Sequence, residues 1–267
     1  MKERVKYFLT KINPKMISII IAAYNEERRI GESLLTIKYY LTKTDLDYEI
    51  IVVDDGSTDN TKQILKCYSE ITNLKIISYP MNKGKGYALR QGVLASMGDI
   101  VLLTDADLST PIEELSHMLH LISSSEYDVV IGSRALKTSM IIKKQPWWRQ
   151  EMGKVFNRIV KLIVLNDFHD TQCGFKIFSG KTARSLFKDA RVDRFAYDVE
   201  ILALAIRKGF KILEVPVKWI NSPASKVNPV CDSLQMLYDL VKISWRQSLP
   251  QYDSTYLKDR QDCLDLS

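Results

Sequence analysis

Two carboxylates, Asp105 and Asp107, stand one residue apart where the apolar run Ile100-Val-Leu-Leu103 gives way to Thr104-Asp-Ala-Asp-Leu-Ser-Thr-Pro111. Residues i and i+2 of a strand point to one side, and a chain that curls past its strand end lets both acids share one hard cation. Mg²⁺ and Mn²⁺ take oxygen ligands and are usually held by one or two carboxylates together with a substrate's phosphates. The spacing therefore suits a diphosphate bridged to the protein by a metal. Thr110, Pro111 and Glu113 predict that a helix follows, opened by a capping box. The acids then fall in a strand-to-helix turn at the carboxyl end of a strand, where open α/β sheets bind ligands.

Two more polar clusters follow apolar runs, Tyr24-Asn-Glu26 and Asp54-Asp-Gly-Ser57. An ionised carboxylate only accepts hydrogen bonds, which suits the N–H groups of a base and the hydroxyls of a ribose. Gly84-Lys-Gly86 makes a flexible turn able to carry Lys83 and Lys85 towards phosphates. It fails as a dinucleotide fingerprint, because Leu89 occupies the sixth position and the loop does not follow the first strand of a βαβ unit. Asp198, in Tyr197-Asp-Val-Glu200, suits an acceptor contact or a general base, and equally an acid that simply favours a helix start. His117 and His120 lack the rest of a metal site and are expected on the surface.

The elements that must position these groups are legible from periodicity. Strands are expected over 17–23, 48–53, 74–78, the Ile100–Leu103 run that ends in the two acids, and 127–133, alternating with helices, the first of which carries Ile30, Leu34, Ile37 and Leu41 on one face. Such alternation means an α/β fold, a mostly parallel sheet with helices on both faces. Beyond residue 134 the alternation lapses into an elaborated C-terminal part. A helix is expected over 147–165, a strand over 173–178, a helix over 196–208 and a strand over 210–219, which Pro216 assigns to an edge. The last helix, about 230–247, places Leu234, Leu237, Leu240, Val241 and Trp245 on one side, a stripe read first as core packing and second as a face resting on a membrane.

The 267 residues are 46% hydrophobic and 26% charged, a globular composition long enough for one large α/β domain or two small ones, of which one domain with an elaborated C-terminal part is preferred. The formal charge of +6 is spread along the chain without the dense basic run of a nucleic-acid arm, so anionic small molecules or an anionic membrane surface are the expected partners and nucleic acid is not. The four cysteines show neither metal-ligand spacing nor disulfide density, which suits reduced thiols in the cytosol. No apolar run approaches the ~20 residues that span a bilayer, and no signal peptide is evident.

Ile-Ile-Ala-Ala-Tyr-Asn-Glu, Val-Val-Asp-Asp-Gly-Ser-Thr-Asp, Asn-Lys-Gly-Lys-Gly-Tyr-Ala-Leu, Thr-Asp-Ala-Asp-Leu-Ser-Thr-Pro and Ile-Gly-Ser-Arg, over roughly 16–135, resemble the motif series of family-2 glycosyltransferases with the Rossmann-like GT-A fold. The later motifs Asp170-Thr-Gln-Cys-Gly-Phe-Lys176, Phe195-Ala-Tyr-Asp-Val-Glu200 and Val215-Pro-Val-Lys-Trp219, followed by Ser225-Lys226, resemble the polyprenyl-phosphate branch, and its dolichyl-phosphate beta-glucosyltransferases more than the mannosyl enzymes. The resemblance implies an inverting, metal-dependent transfer of a hexose, glucose before mannose, from a UDP- or GDP-sugar to a polyprenyl phosphate. The expected place is the cytoplasmic face of a membrane, with the protein attached peripherally; a saccharide acceptor is the alternative. Ala22, Tyr24, Glu26, Asp54, Lys85, Asp105 and Ala106 are the expected nucleotide-sugar contacts, Asp105 and Asp107 the ligands of Mg²⁺ or Mn²⁺, and Arg134, Arg149, Lys226 and Asp198 the catalytic set. The implied organisation is a basic-apolar lead (1–15), a nucleotide-sugar-binding half (16–135), an acceptor-binding half of the same domain (136–250) and a polar tail (251–267). Two departures stand out. Ala22 replaces a proline frequent before the Tyr-Asn-Glu motif, and Ser109 stands where mannosyl members often carry a metal-binding glutamine.

Overall fold

The computed structural model describes residues 16–143 apart from 45, 72 and 125, then 153, 155–160, 165, 168–222 and 231–246. Among the described residues the strands are β1 (Met16–Ala23), β2 (Asp47–Asp54), β3 (Leu74–Ser78), β4 (Ile100–Asp105), β5 (Val129–Ser133), β6 (Met140–Lys143), β7 (Lys176–Ser179), β8 (Ile212–Pro216) and β9 (Lys218–Ile220). Among the described residues the helices are α1 (Ile30–Leu41), α2 (Thr61–Cys67), α3 (Lys85–Leu94), α4 (Glu114–Ser123), α5 (Gly180–Asp189), α6 (Tyr197–Arg207) and α7 (Cys231–Arg246), with residues 155–160 also helical.

Seven strands form one sheet in the order β3-β2-β1-β4-β7-β5-β8. The neighbours β3, β2, β1 and β4 run parallel, as do β5 and β8, whereas β7 enters antiparallel to both β4 and β5. The interior strands are apolar on both faces because both faces are covered. Ile20, Ile51, Val101 and Leu103 face one core with α3, α5, α6 and α7, and Ile19, Ile21, Val52 and Leu102 face the other with α1 and α4. Register aligns the strand ends: Ala22 pairs with Asp105 and Ala23 with Asp54, so the loops after β1, β2 and β4 open on one edge of the sheet.

Several expected elements are shifted. The strand read over 173–178 begins only at Lys176, although the Phe175 carbonyl still accepts the Gly132 N–H (2.9 Å) and Gly174 lies against the Asp105 carboxylate. The strand read over 210–219 splits into β8, at the sheet edge as Pro216 requires, and β9, which pairs with β6 in a separate two-stranded ribbon. The capping box does not form: α4 starts at Glu114 without a side-chain cap, and the Thr110 hydroxyl lies 3.8 Å from Cys173 Sγ in the core. Of the helix read over 147–165, residues 155–160 are helical, and the rest lies mostly outside the described residues. The stripe on α7 divides. Leu240, with Met236 and Ile243, is buried in the core and Leu237 packs against it, while Leu234, Val241 and Trp245 face outward together with Tyr238.

Candidate active site

The loops after β1 and β2 are tied to each other before they can hold anything else. Asn25, at φ +54, donates its backbone N–H to Ser57 Oγ (2.9 Å) and accepts the Thr58 N–H on Oδ1 (2.8 Å). Glu26 N–H reaches Thr61 Oγ1 (2.7 Å), and the Asp55 N–H returns to Ala23 O (2.8 Å). Asp54 is almost wholly buried and accepts from Ser57 N–H (3.1 Å), so it shapes its own loop rather than capping α2, whose start at Asn60 has no side-chain cap.

Its neighbour Asp55 went unremarked in the sequence and organises the glycine turn. This buried carboxylate accepts from Tyr79 Oη–H (2.7 Å), Asn82 Nδ2–H (2.8 Å), Lys83 N–H (2.8 Å) and Gly84 N–H (2.9 Å). Burial and then the Asp55 carboxylate push the Tyr79 hydroxyl far above the ordinary tyrosine range, keeping it a donor. Gly84 needs its φ of +107 to make this turn, and a Cβ on it would meet the Asp193 carbonyl at 2.4 Å. The turn delivers Lys85, the first residue of α3, so that its Nζ lies 2.5 Å from Asp105 Oδ1.

Asp105 and Asp107 occupy the turn that the sequence assigns to them. Burial would raise the Asp105 carboxyl, but Lys85, followed by Lys176 and Arg134, outweighs it and holds the group below its ordinary value. Asp107 Oδ1 accepts the Ser109 N–H (3.0 Å), Leu108 between them sits at φ +46, and Asp107 Oδ2 stands 3.3 Å from Arg29 Nη1. Arg29 also forks onto Glu26 through Nε (2.7 Å) and Nη2 (2.6 Å), and gives Nη1–H to Ser222 Oγ (2.6 Å). Two hard carboxylates on one turn are the donor chemistry that a divalent cation shared with a diphosphate uses.

Next to them lies a set of opposed charges, Arg134 from just after β5 and its partners from the C-terminal half. Arg134 grips Asp170 with Nε (2.6 Å), Nη2 (2.8 Å) and its own backbone N–H (3.0 Å), and its guanidinium lies 5.7 Å from the Trp219 ring centroid. Burial alone would raise the Asp170 carboxyl; the Arg134 guanidinium holds it down at about 2. Lys176 and Asp198 form a buried ion pair, and Lys176 Nζ also donates to the Cys173 carbonyl. The Thr171 hydroxyl is buried without a hydrogen-bond partner among the described residues, and the buried Tyr197 hydroxyl is pushed well above the ordinary tyrosine range by burial and then by the charges of Asp198 and Asp105.

Of the residues expected at the site, Ala22, Tyr24, Glu26, Asp54, Lys85, Asp105 and Asp107 line the loops at this one edge, and Arg134 and Asp198 join them. Ala106 differs: its methyl is buried in the core and its carbonyl accepts from Ser33 Oγ–H (2.7 Å). Arg149 and Lys226 lie outside the described residues. Arg29, Asp55, Asp170, Gly174 and Lys176 were missed as site residues. The last three fall in a motif already conspicuous in the sequence, while Arg29 sits in a run of charge that spacing alone cannot sort.

Residues 18–187 match the family model described as Glycosyl transferase family 2. The chain is 36% identical over 245 residues to the dolichyl-phosphate beta-glucosyltransferase of Dictyostelium discoideum, covering 87% of this chain and 75% of that protein. It is 35% identical over 266 residues to that of Saccharomyces cerevisiae (92% and 78%) and 33% identical over 245 residues to that of Homo sapiens (87% and 76%). Among solved structures, glucosyl-3-phosphoglycerate synthase from Mycobacterium tuberculosis, in complex with Mn²⁺, UDP-glucose and phosphoglyceric acid, superposes with a TM-score of 0.68 at 19% identity, over 94% of this chain and 85% of that one. That likeness speaks to the GT-A fold, and the sequence matches, spread over both halves of the chain and most of each relative, establish that the chain belongs to glycosyl transferase family 2.

Proposed function

We propose that the chain transfers a hexose, glucose in keeping with the description of its relatives, from a nucleotide diphosphate sugar to a dolichyl-type polyprenyl phosphate, with inversion, at the cytoplasmic face of a membrane. One observation carries this reading: sheet register brings Asp54, Asp105 and Asp107 to one edge, with Lys85 and Arg29 against the last two. The carboxylates at the ends of β1 and β2 suit the nucleoside, and those at the end of β4 the diphosphate.

The donor set fits Mg²⁺ or Mn²⁺. Two hard oxygen donors share a turn, and the missing Cβ of Gly174 lets the Asp105 carboxylate seat against the backbone there. Among the described residues no third His, Cys, Asp or Glu completes a cage, which suits a cation whose shell is finished by phosphate oxygens and water. When bound, such a cation stabilises the negative charge gathering on the departing diphosphate. Lys85 and Arg134 add positive charge around Asp105. The acceptor phosphate attacks the anomeric carbon with an oxygen already ionised. A new C–O bond forms, the sugar–diphosphate bond breaks, and its electron pair leaves on the diphosphate without a proton transfer.

Asp198 has a quieter role in this scheme. Its Oδ1 is committed to Lys176, so it fixes that lysine and the Cys173 carbonyl next to Asp105 rather than taking a proton from an acceptor, which disfavours the saccharide alternative. Arg149 and Lys226 draw in the donor and acceptor phosphates, as the motif resemblance implies. The deciding experiment is donor binding with and without Mn²⁺: Asp107→Ala keeps the far-ultraviolet circular dichroism of the wild type and loses the metal-dependent part of nucleotide-sugar affinity. Metal-dependent binding that survives the substitution refutes the assignment.

A further inference from the structure

Both carboxylates proposed to meet a divalent cation already face a cation of the chain's own. Lys85 Nζ stands 2.5 Å from Asp105 Oδ1, and Arg29 Nη1 stands 3.3 Å from Asp107 Oδ2. All four side chains keep between 20% and 35% of their surface exposed, so a ligand arriving from solvent can reach and exchange both pairs. The two cations are also held so that each can let go. Arg29 keeps its fork on Glu26 when Nη1 leaves Asp107, and Lys85 carries its charge on a flexible four-carbon stem from a helix start fixed by Asp55.

We propose that Arg29 and Lys85 are built-in counter-ions of the donor site, which shield Asp107 and Asp105 from a divalent cation arriving alone and turn to the diphosphate when cation and nucleotide arrive together. The four groups sum to zero charge. A lone divalent cation adds positive charge beside two resident cations and has to break two ion pairs to gain its ligands. A metal–diphosphate complex brings its own anion, and the displaced ammonium and guanidinium then find phosphate oxygens, for which the fork of an arginine is well shaped. Metal and nucleotide consequently bind as a pair, each raising the other's affinity by the same factor. Arg29 gains a role in the reaction that neither its position in the sequence nor the motif series assigns. The inference rests on the donor-site reading above.

The test is Mn²⁺ uptake by the full chain, followed through the electron paramagnetic resonance signal of free Mn²⁺, alone and with excess UDP or GDP. Wild type is expected to take up Mn²⁺ weakly alone and about tenfold more tightly with its nucleotide. Arg29→Gln and Lys85→Gln are each expected to bind Mn²⁺ alone about fivefold more tightly than wild type and to lose most of that coupling. Arg29→Lys, which keeps the charge, stays close to wild type. Damage to the fold weakens metal binding, so a gain in affinity is a signature that a structural role does not produce. Unchanged or weaker Mn²⁺ binding in both glutamine variants, with the wild-type coupling intact, overturns the counter-ion role and leaves the donor reading standing. A wild type that takes up no Mn²⁺ with either nucleotide overturns both.

Discussion

A Cβ on Gly174 would stand 2.2 Å from Asp105 Oδ2 and 2.5 Å from Asp105 Cγ, so the carboxylate that ends β4 rests directly on the backbone leading into β7. Gly174→Ala must therefore move the carboxylate, the far end of a side chain, and can leave the backbone where it is. Transfer activity is expected to fall about 10²-fold, the scale of a displacement near 1 Å at a reacting centre, with unchanged circular dichroism. A variant that keeps wild-type kcat/KM shows that Asp105 needs no such fixed seat.

The Arg134–Asp170 pair makes a prediction in acid. The Asp170 carboxyl has an ordinary value of 3.8 and is held at about 2 in the fold. A depressed carboxyl contributes stability that is fully present above its ordinary value and is lost as the pH falls through its folded one; here the window runs from about 3.8 down to about 2. Arg134→Met leaves the buried carboxylate without its guanidinium, which costs about 3–5 kcal/mol near neutral pH, and because burial alone raises the Asp170 carboxyl, that cost shrinks as the pH falls and the group takes up a proton. Urea unfolding of both proteins at neutral and at acid pH checks this, and a stability difference that does not shrink in acid contradicts it.

Leu234, Tyr238, Val241 and Trp245 form an outward stripe on α7, with Trp245 84% exposed and Lys242 Nζ 4.2 Å from the Tyr238 ring centroid. No helix among the described residues is long and apolar enough to cross a membrane. A surface that meets anionic lipid through this stripe is expected to float with anionic vesicles at low salt, each nearby Lys or Arg adding about 1 kcal/mol. Trp245→Ser should weaken that binding about tenfold. Flotation indistinguishable from wild type assigns the contact to another surface.

The parallel half of the sheet could be read from the sequence because its strands are unbroken apolar runs between helices with a clear 3.6-residue stripe, and Asp105 and Asp107 could be read with it because they end such a run. Lys176 shows where that legibility stops. A lysine reads as surface, yet it is buried here because Asp198, distant in sequence, supplies its counter-charge; neither residue announces the other. Thr110 and Glu113 spelled a capping box that tertiary packing overrode, as the Thr110 side chain turned to Cys173. On α7 the apolar residues were visible, but not which of them faces inward, because Met236 and Ile243 complete the buried face and move Leu234, Val241 and Trp245 off it. Asp55 was hidden by its neighbour: two adjacent acids look alike in sequence, and only the turn at Lys83 and Gly84 distinguishes them.

The antiparallel β7 also dictates an order of events while the chain is being made. Ile100 of β4 pairs with Ser179, and β7 is the strand that joins β4 to β5. At a synthesis rate of about 5–20 residues per second, β4 leaves the ribosome several seconds ahead of the strand that covers its edge. Through that interval the growing chain presents a row of unpaired amides and carbonyls, a template for pairing with other chains. The centre of the sheet is therefore closed late, only once residues 176–179 have been made, and the hazard of wrong pairing falls during synthesis.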